Sequence, residues 1–294
     1  MRSILTLLPA LLLLVACGEP APSAGTAPAP EAAVAAKPTA DLRLYVFDCG
    51  YIRLPTVTDF GLADDQTDVR TLFVPCYLIE HPAGLLLWDA GLPPAFAATG
   101  DWIDDETGAG HRLGAPISAQ LGVLDLTPAD IDKIAFSHFH YDHVGDANAF
   151  LGSELLIQRP EQAMAFSDDP SGAFMDPAFY GELAATPTTI LDGDHDVFGD
   201  GRVRIISAPG HTPGHQVLYV DLQNTGPIVL SGDLYHFEAS RDLHAVPTFN
   251  YDADASRAAM DRVEAFLSET GATLWIQHVL AFHEGLAQAP EFHD

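Results

Sequence analysis

Apolar and polar side chains recur along the second part of the chain with two periods. Residues 42–47 (LRLYVF) are rich in strand formers, and residues 74–80 (VPCYLIE) and 85–89 (LLLWD), joined by the turn 81–84 (HPAG), predict a hairpin. Short apolar runs at 134–137, 154–158, 203–207, 216–220, 228–231 and 273–277 predict further strands. Residues 255–270 carry Ala259, Met260, Val263, Phe266 and Leu267 at helical spacing and end at Gly271, so they predict a helix with a glycine stop. A short helix is expected over 160–167, and Thr127 followed by Pro128 reads as a helix start. The stretch 92–124 is rich in Gly and Pro with scattered Phe96, Trp102 and Ile103, which predicts a long loop or lid. Strands and helices alternate, but hairpins are mixed in. That favours an α/β (α+β) arrangement of sheets covered by helices over a doubly wound dinucleotide fold.

The first forty residues obey no such period. Arg2 precedes an apolar run from Ile4 to Ala16 that ends at Cys17. Its length suits a signal peptide and is short for a bilayer span, and residues 14–17 (LVAC) resemble the bacterial lipobox. Residues 1–17 are therefore expected to be a lipoprotein signal ending at the acylated Cys17. Residues 18–40, dominated by Ala and Pro, are expected to be a disordered tether, leaving 41–294 as one domain. The expected location is the periplasmic side of a bacterial envelope, on the outer rather than the inner membrane, with the lipid as the only membrane contact.

Composition narrows the partners. With 41 acidic and 13 basic residues, the net charge of −28 repels nucleic-acid phosphates. No Gly-rich phosphate loop and no Gly-x-Ser-x-Gly elbow is present, which argues against a nucleotide enzyme or serine hydrolase. Apart from Cys17, the cysteines are Cys49 and Cys76, both on or beside expected strands. An exported protein can pair them, but the reading favoured here is two buried small hydrophobes.

The chemistry concentrates after the strand at 134–137. His138, His140, Asp142 and His143 lie within six residues. In extended chain, residues two apart face one side, so His138 and His140 can share one cation, while a turn into helix swings Asp142 and His143 toward a second. Imidazole and carboxylate suit zinc and other borderline divalent ions. Three later segments, each just after an expected strand, offer more ligands: 208–215 with His211 and His215, 231–233 with Asp233, and 275–278 with His278.

This ordered set resembles the signature of the metallo-β-lactamase superfamily, from Asp89 in residues 88–91 (WDAG) to His278. The resemblance implies an αββα sandwich with two metals at one edge. It implies His138, His140 and His211 on the first metal and Asp142, His143 and His278 on the second, with Asp233 bridging. Asp89 would orient a ligand imidazole, and His215 would make a buried structural hydrogen bond. His283 is a rival to His278 beyond the strand end, and the remaining histidines, His236 among them, default to surface or loop roles. Within the superfamily, residues 75–80, 88–91 and 210–216 look like the N-acyl-homoserine lactonases. That group carries a tyrosine three residues after the bridging aspartate, whereas here Tyr235 is second and His236 third, so either can face the substrate. The implied activity is lactone opening (quorum quenching) by a hydroxide bridging two divalent metals. Asp142 would orient the nucleophile and Tyr235 would donate to the oxyanion. Phe60, Phe96, Trp102, Phe139 and Phe174 are candidates for lining an acyl pocket. The alternatives are a β-lactamase or broad esterase/lactonase of the same fold, and a non-catalytic metal-binding envelope lipoprotein.

Overall fold

The structure, a computed structural model, describes residues 42–294. The expected signal and lipobox, Cys17 and the tether lie outside the described residues. The strands are β1 (Arg43–Arg53), β2 (Thr71–His81), β3 (Gly84–Trp88), β4 (Trp102–Ile103), β5 (Gly110–Arg112), β6 (Lys133–Ala135), β7 (Glu154–Gln158) and β8 (Thr188–Leu191). They form one sheet in the order β4-β5-β1-β2-β3-β6-β7-β8. Strands β9 (His195–Asp196), β10 (Val203–Ser207), β11 (Gln216–Leu222), β12 (Gly226–Leu230) and β13 (Thr273–Trp275) form the second, in the order β13-β12-β11-β10-β9.

The period of two along each strand stacks these sheets. Leu44, Val46, Tyr77, Ile79, Leu86 and Trp88 of the first sheet pack with Val203, Ile205, Leu218, Val220, Ile228 and Leu230 of the second. The intervening residues face outward beneath helices. Tyr45, Phe47, Leu78, Leu87 and Ile134 join a cluster with Ile117, Leu121, Val144 and Phe150, while Ile206, Val217, Tyr219 and Val229 meet Ala259, Met260, Val263 and Leu267. The layers run helix, sheet, sheet, helix. Slipping any central strand by one residue would exchange its two buried faces, so each strand's register is fixed from both sides.

The helix Ala253–Thr270 is the crossover between β12 and β13, which pair in parallel. Asp252 caps it by accepting from the Asp254 and Ala255 N–H groups, and Gly271 ends it at φ 70° with its N–H on Leu267 O. No helix among the described residues is long and apolar enough to cross a membrane.

Three local expectations need correction. Cys49 and Cys76 are joined in a disulfide, with Cα atoms 5.8 Å apart. Phe47 pairs directly with Cys76, and Cys49 stands two residues beyond it on the same face, where the β1–β2 register shifts between Asp48 and Tyr51. Residues 92–124 are not a free lid: they hold the helices Ala95–Thr99 and Ile117–Gln120, and β5 pairs with β1. The expected helix at Thr127 is a single turn, Pro128–Asp130, because Ile131 returns to extended backbone.

Candidate metal centre

The chemistry-bearing residues collect where strands end. Asp89 follows β3, Ser137 to His143 follow β6, His211 follows β10, Asp233 follows β12 and His278 follows β13. Because β3 runs parallel to β6, and β12 to β13, these carboxyl ends converge on one edge of the sandwich.

Three overlapping buried groups result. His138, His140, His211 and Asp233 form the first set and Asp142, His143 and His278 the second; the third, Asp233, His236 and His278, shares members with the other two. In the first, His211 Nε2 lies 3.1 Å from His138 Nε2 and 3.0 Å from His140 Nδ1. Their outer ring nitrogens are already used: His140 Nε2–H donates to Ala173 O at 3.0 Å and His211 Nδ1–H to Asn250 Oδ1 at 2.8 Å. In the second set, His143 Nδ1–H donates to Asp89 Oδ2 at 2.9 Å and His278 Nδ1–H to Phe73 O at 2.7 Å. These outward N–H groups, assigned from their partners, leave the inner nitrogens as lone pairs. Asp233 stands between the sets. Its Oδ1 is 2.9 Å from His278 Nε2 and 3.2 Å from His143 Nε2, and its Oδ2 is 3.2 Å from His211 Nε2.

Such convergence is unfavourable without a cation at its centre. His143 Nε2 is fully buried and has no hydrogen-bond partner. Burial alone would depress His143, yet Asp233, Asp142 and Asp89 hold its pKa well above the usual imidazole value, so the pocket favours positive charge. Burial, reinforced by His211, brings His140 down to about 3, and His143 outweighs burial to bring Asp142 down to about 2. His140 is thereby held neutral and Asp142 ionised, which are the ligating forms of each. The residues present therefore form a binuclear metal-binding cluster.

The groups behind the cluster are tightly held. Asp89, at φ 60°, accepts the Ser137 N–H at 2.6 Å, the Ser137 hydroxyl, the His143 N–H and the Gln277 amide. A left-handed aspartate carries strain, which four donors on one carboxylate offset. His215 Nδ1–H donates to Ala208 O at 2.9 Å and its Nε2 accepts the Asp233 N–H at 3.0 Å, which leaves no lone pair for a cation. His283 is outside the cluster and pairs with Tyr77 Oη.

Beyond the cluster opens a cavity of about 600 Å³. Ile52, Leu54, Phe60, Leu72, Phe174 and Phe249 supply its apolar walls; Asp142, Asp233, His236 and His278 lie at its polar end, and among the described residues no Lys or Arg lines it. Of the aromatic candidates, Phe60 and Phe174 line this cavity. Phe139 is core beneath the cluster, Phe96 stacks on His111, and Trp102 stands half exposed beside the same ring. Phe249 was missed.

The oxyanion assignment to Tyr235 is overturned. Its hydroxyl donates to Glu264 Oε1 at 3.2 Å, beside the Arg241–Glu264 ion pair, and its ring packs with the helix Ala253–Thr270. Tyr235 has extended backbone, so its neighbour points the other way. That neighbour is His236, expected at the surface but 3 % exposed, with Nε2–H donating to Asp233 Oδ2 at 2.9 Å. Tyr235→Phe should leave kcat/KM within about twofold of wild type. His236→Phe removes a donor to a charged acceptor, a contact that contributes about 1.5–3 kcal/mol, and should lower kcat/KM roughly 10–100-fold. Steady-state kinetics on both variants decide the point, and the reverse ranking would restore Tyr235 to the site.

Comparison with known proteins agrees with this geometry. Residues 69–270 match the family model described as the metallo-beta-lactamase superfamily. The N-acyl homoserine lactonase AttM of Azorhizobium caulinodans is 26 % identical over 264 residues, covering 86 % of this chain and 99 % of that protein. An N-acyl homoserine lactonase from a Bacillus species is 24 % identical over 231 residues, covering 76 % and 88 %. Among solved structures, an N-acyl homoserine lactone hydrolase with the product N-hexanoyl-L-homoserine at its catalytic metal centre superposes with a TM-score of 0.72. It is 22 % identical and covers 85 % of this chain and 98 % of that one. AidC, a dizinc quorum-quenching lactonase, reaches a TM-score of 0.61 at 21 % identity, covering 85 % and 92 %.

Proposed function

The chain belongs to the metallo-β-lactamase superfamily, and from that premise we propose that it is a two-metal hydrolase opening the ring of N-acyl-homoserine-lactone-like substrates. The observation that carries the reading is a buried binuclear cluster at the polar end of an apolar cavity without a cationic side chain. Such a cavity suits a neutral head with an acyl tail. The relatives named as N-acyl homoserine lactonases match over most of their own length, which supports the same substrate class.

Bound divalent ions, with zinc favoured by the nitrogen-rich donor set, would polarise a carbonyl oxygen and make a water acidic near neutral pH. His138, His140 and His211 would hold one ion and Asp142, His143 and His278 the other, with Asp233 placed between the two sets. Asp142 lines the cavity as an ionised acceptor, placed to orient a water and take up its proton. His236 fixes the outer oxygen of Asp233 and presents its ring to the cavity. Phe60, Phe174 and Phe249 keep bulk water from the acyl side.

A β-lactamase is the second reading, with a broad esterase beside it. The lining disfavours the first, because among the described residues no Lys or Arg side chain stands in the cavity to hold a β-lactam carboxylate, and Asp59 stands there instead. A non-catalytic metal lipoprotein would close its coordination, whereas here ligands border an open cavity. We place the protein outside the cytoplasm, lipid-anchored through Cys17 on the periplasmic side of the envelope, with the outer membrane favoured. The disulfide supports an oxidising compartment.

Metal analysis combined with a substrate panel tests the reading. About two metals per chain are expected. Short- and long-chain acyl-homoserine lactones should be turned over well ahead of a simple aryl ester, and a cephalosporin should stay intact. Cephalosporin cleavage without lactone turnover would overturn the assignment in favour of the second reading.

A further inference from the structure

One buried carboxylate takes no part in the cluster yet touches both loops that build its first half. Glu161 lies in the first turn of the helix Arg159–Ala165 and is 2 % exposed. Its Oε1 accepts the Phe139 N–H at 3.0 Å and the Thr212 hydroxyl at 2.9 Å, and its Oε2 accepts the Gly214 N–H at 2.7 Å. Phe139 sits between His138 and His140, and Thr212 directly follows His211. Glu161 thus ties the two segments that carry all three imidazoles of the first set. Residue 214 must be glycine for this approach, since a Cβ there would come within 2.6 Å of Glu161 N and Cβ.

A buried carboxylate costs several kcal/mol unless its lone pairs are satisfied. Here three donors satisfy it, two of them from backbone whose position sets where ligand side chains point. Burial pushes its carboxyl up to about 7, while the Thr212 hydroxyl and the Gly214 and Phe139 N–H groups pull it down, so the three bonds offset part of the cost of burial. The imidazoles of the second set have no such tie to Glu161: His143 is held by Asp89 and His278 by Phe73 O.

We infer that Glu161 is a positioning residue for the first metal, spacing His138 and His140 against His211, and that its loss weakens that ion selectively. The inference rests on the two-metal reading of the cluster. Glu161→Gln keeps the shape but sets an amide NH2 against at least one of the three donors, whichever way the amide turns. Thr212→Val removes a single donor with little change in volume.

The test is stepwise removal of cobalt from the fully loaded protein by a competing chelator, read by metal content and by cobalt d–d absorption, with circular dichroism as the check on folding. Wild type should release its two ions in two steps. In Glu161→Gln the first-set ion should bind about 10–100-fold more weakly while the other step stays in place. Thr212→Val should move the same step in the same direction by less. A purely structural role would lower the melting temperature and leave the two steps together or shift both alike. Folded Glu161→Gln with wild-type release curves would overturn the inference. If that variant does not fold, an unmoved first step in Thr212→Val does so. A wild type that holds no metal sinks the two-metal reading, and this inference with it.

Discussion

Asp233→Ala should leave the protein folded, nearly free of metal, and at least about a thousandfold slower in kcat/KM, which is about 4 kcal/mol of lost transition-state stabilisation. Asp233 is the carboxylate that approaches imidazoles of both sets, at 2.9 Å from His278 and 3.2 Å from His143 on one oxygen and 3.2 Å from His211 on the other. Without it the first set is three imidazoles in a buried site, and Asp142 is the one carboxylate left among the ligands to offset the charge of two divalent ions. The main-chain N–H of residue 233 still reaches His215, so the loop keeps its anchor and loss of fold does not explain loss of metal. Asp233→Asn sharpens the test, because it keeps the volume and removes the charge. Metal content by mass spectrometry and kinetics on an acyl-homoserine lactone are the measurements. Either variant retaining two metals, or activity within tenfold of wild type, would refute Asp233 as the group shared between the ions.

Much of this centre is legible in the chain because its signals are local. Strand runs such as 154–158 and 203–207 stand at their expected bounds, since both sheet faces are buried and apolar runs mark them. His138, His140, Asp142 and His143 are brought together by one strand end and one turn, which spacing alone specifies. What escaped depends on distant geometry. Glu161 reads as an ordinary acid in a helix's first turn, and only the approach of Gly214 makes it a buried tie. The Cys49–Cys76 bond depends on the pairing of β1 with β2, which sets Phe47 opposite Cys76 and which composition does not announce. Tyr235 and His236 differ by one position, and the short Gly232–Leu234 turn, non-helical at Asp233, decides which of them faces the cluster. Family resemblance located the uncertainty at these two residues without resolving it, because this chain departs from the lactonase pattern there.

Gly145→Ala should destabilise both the fold and the second metal position, although its backbone conformation suits alanine. By conformation an alanine would be welcome: residue 145 is in the right-handed helical region at φ −55°, where Ala is favoured over Gly by about 1 kcal/mol. Space decides against it. The added Cβ would lie 2.3 Å from Leu92 C and Pro93 N and 2.4 Å from Gly91 O, all main-chain atoms that cannot rotate away. The same segment is clamped to the ligand turn, with the Gly145 N–H on Gly91 O at 2.8 Å and the Ala90 N–H on His143 O at 2.7 Å. Any shift that relieves the clash therefore drags Asp89 and His143, the pair that orients the second metal. Overpacking of this kind costs about 1–3 kcal/mol or more, so with the propensity gain subtracted the net loss should be roughly 2 kcal/mol. At about 2–4 °C per kcal/mol, the melting temperature should fall by roughly 4–8 °C. Second-site metal affinity should fall with it, by about tenfold. Gly152→Ala, where a Cβ meets nothing within 4 Å, is the matched control and should change neither. Calorimetry with chelator competition reads both effects, and a Gly145→Ala protein that melts like wild type would mean that the 89–93 segment yields without cost.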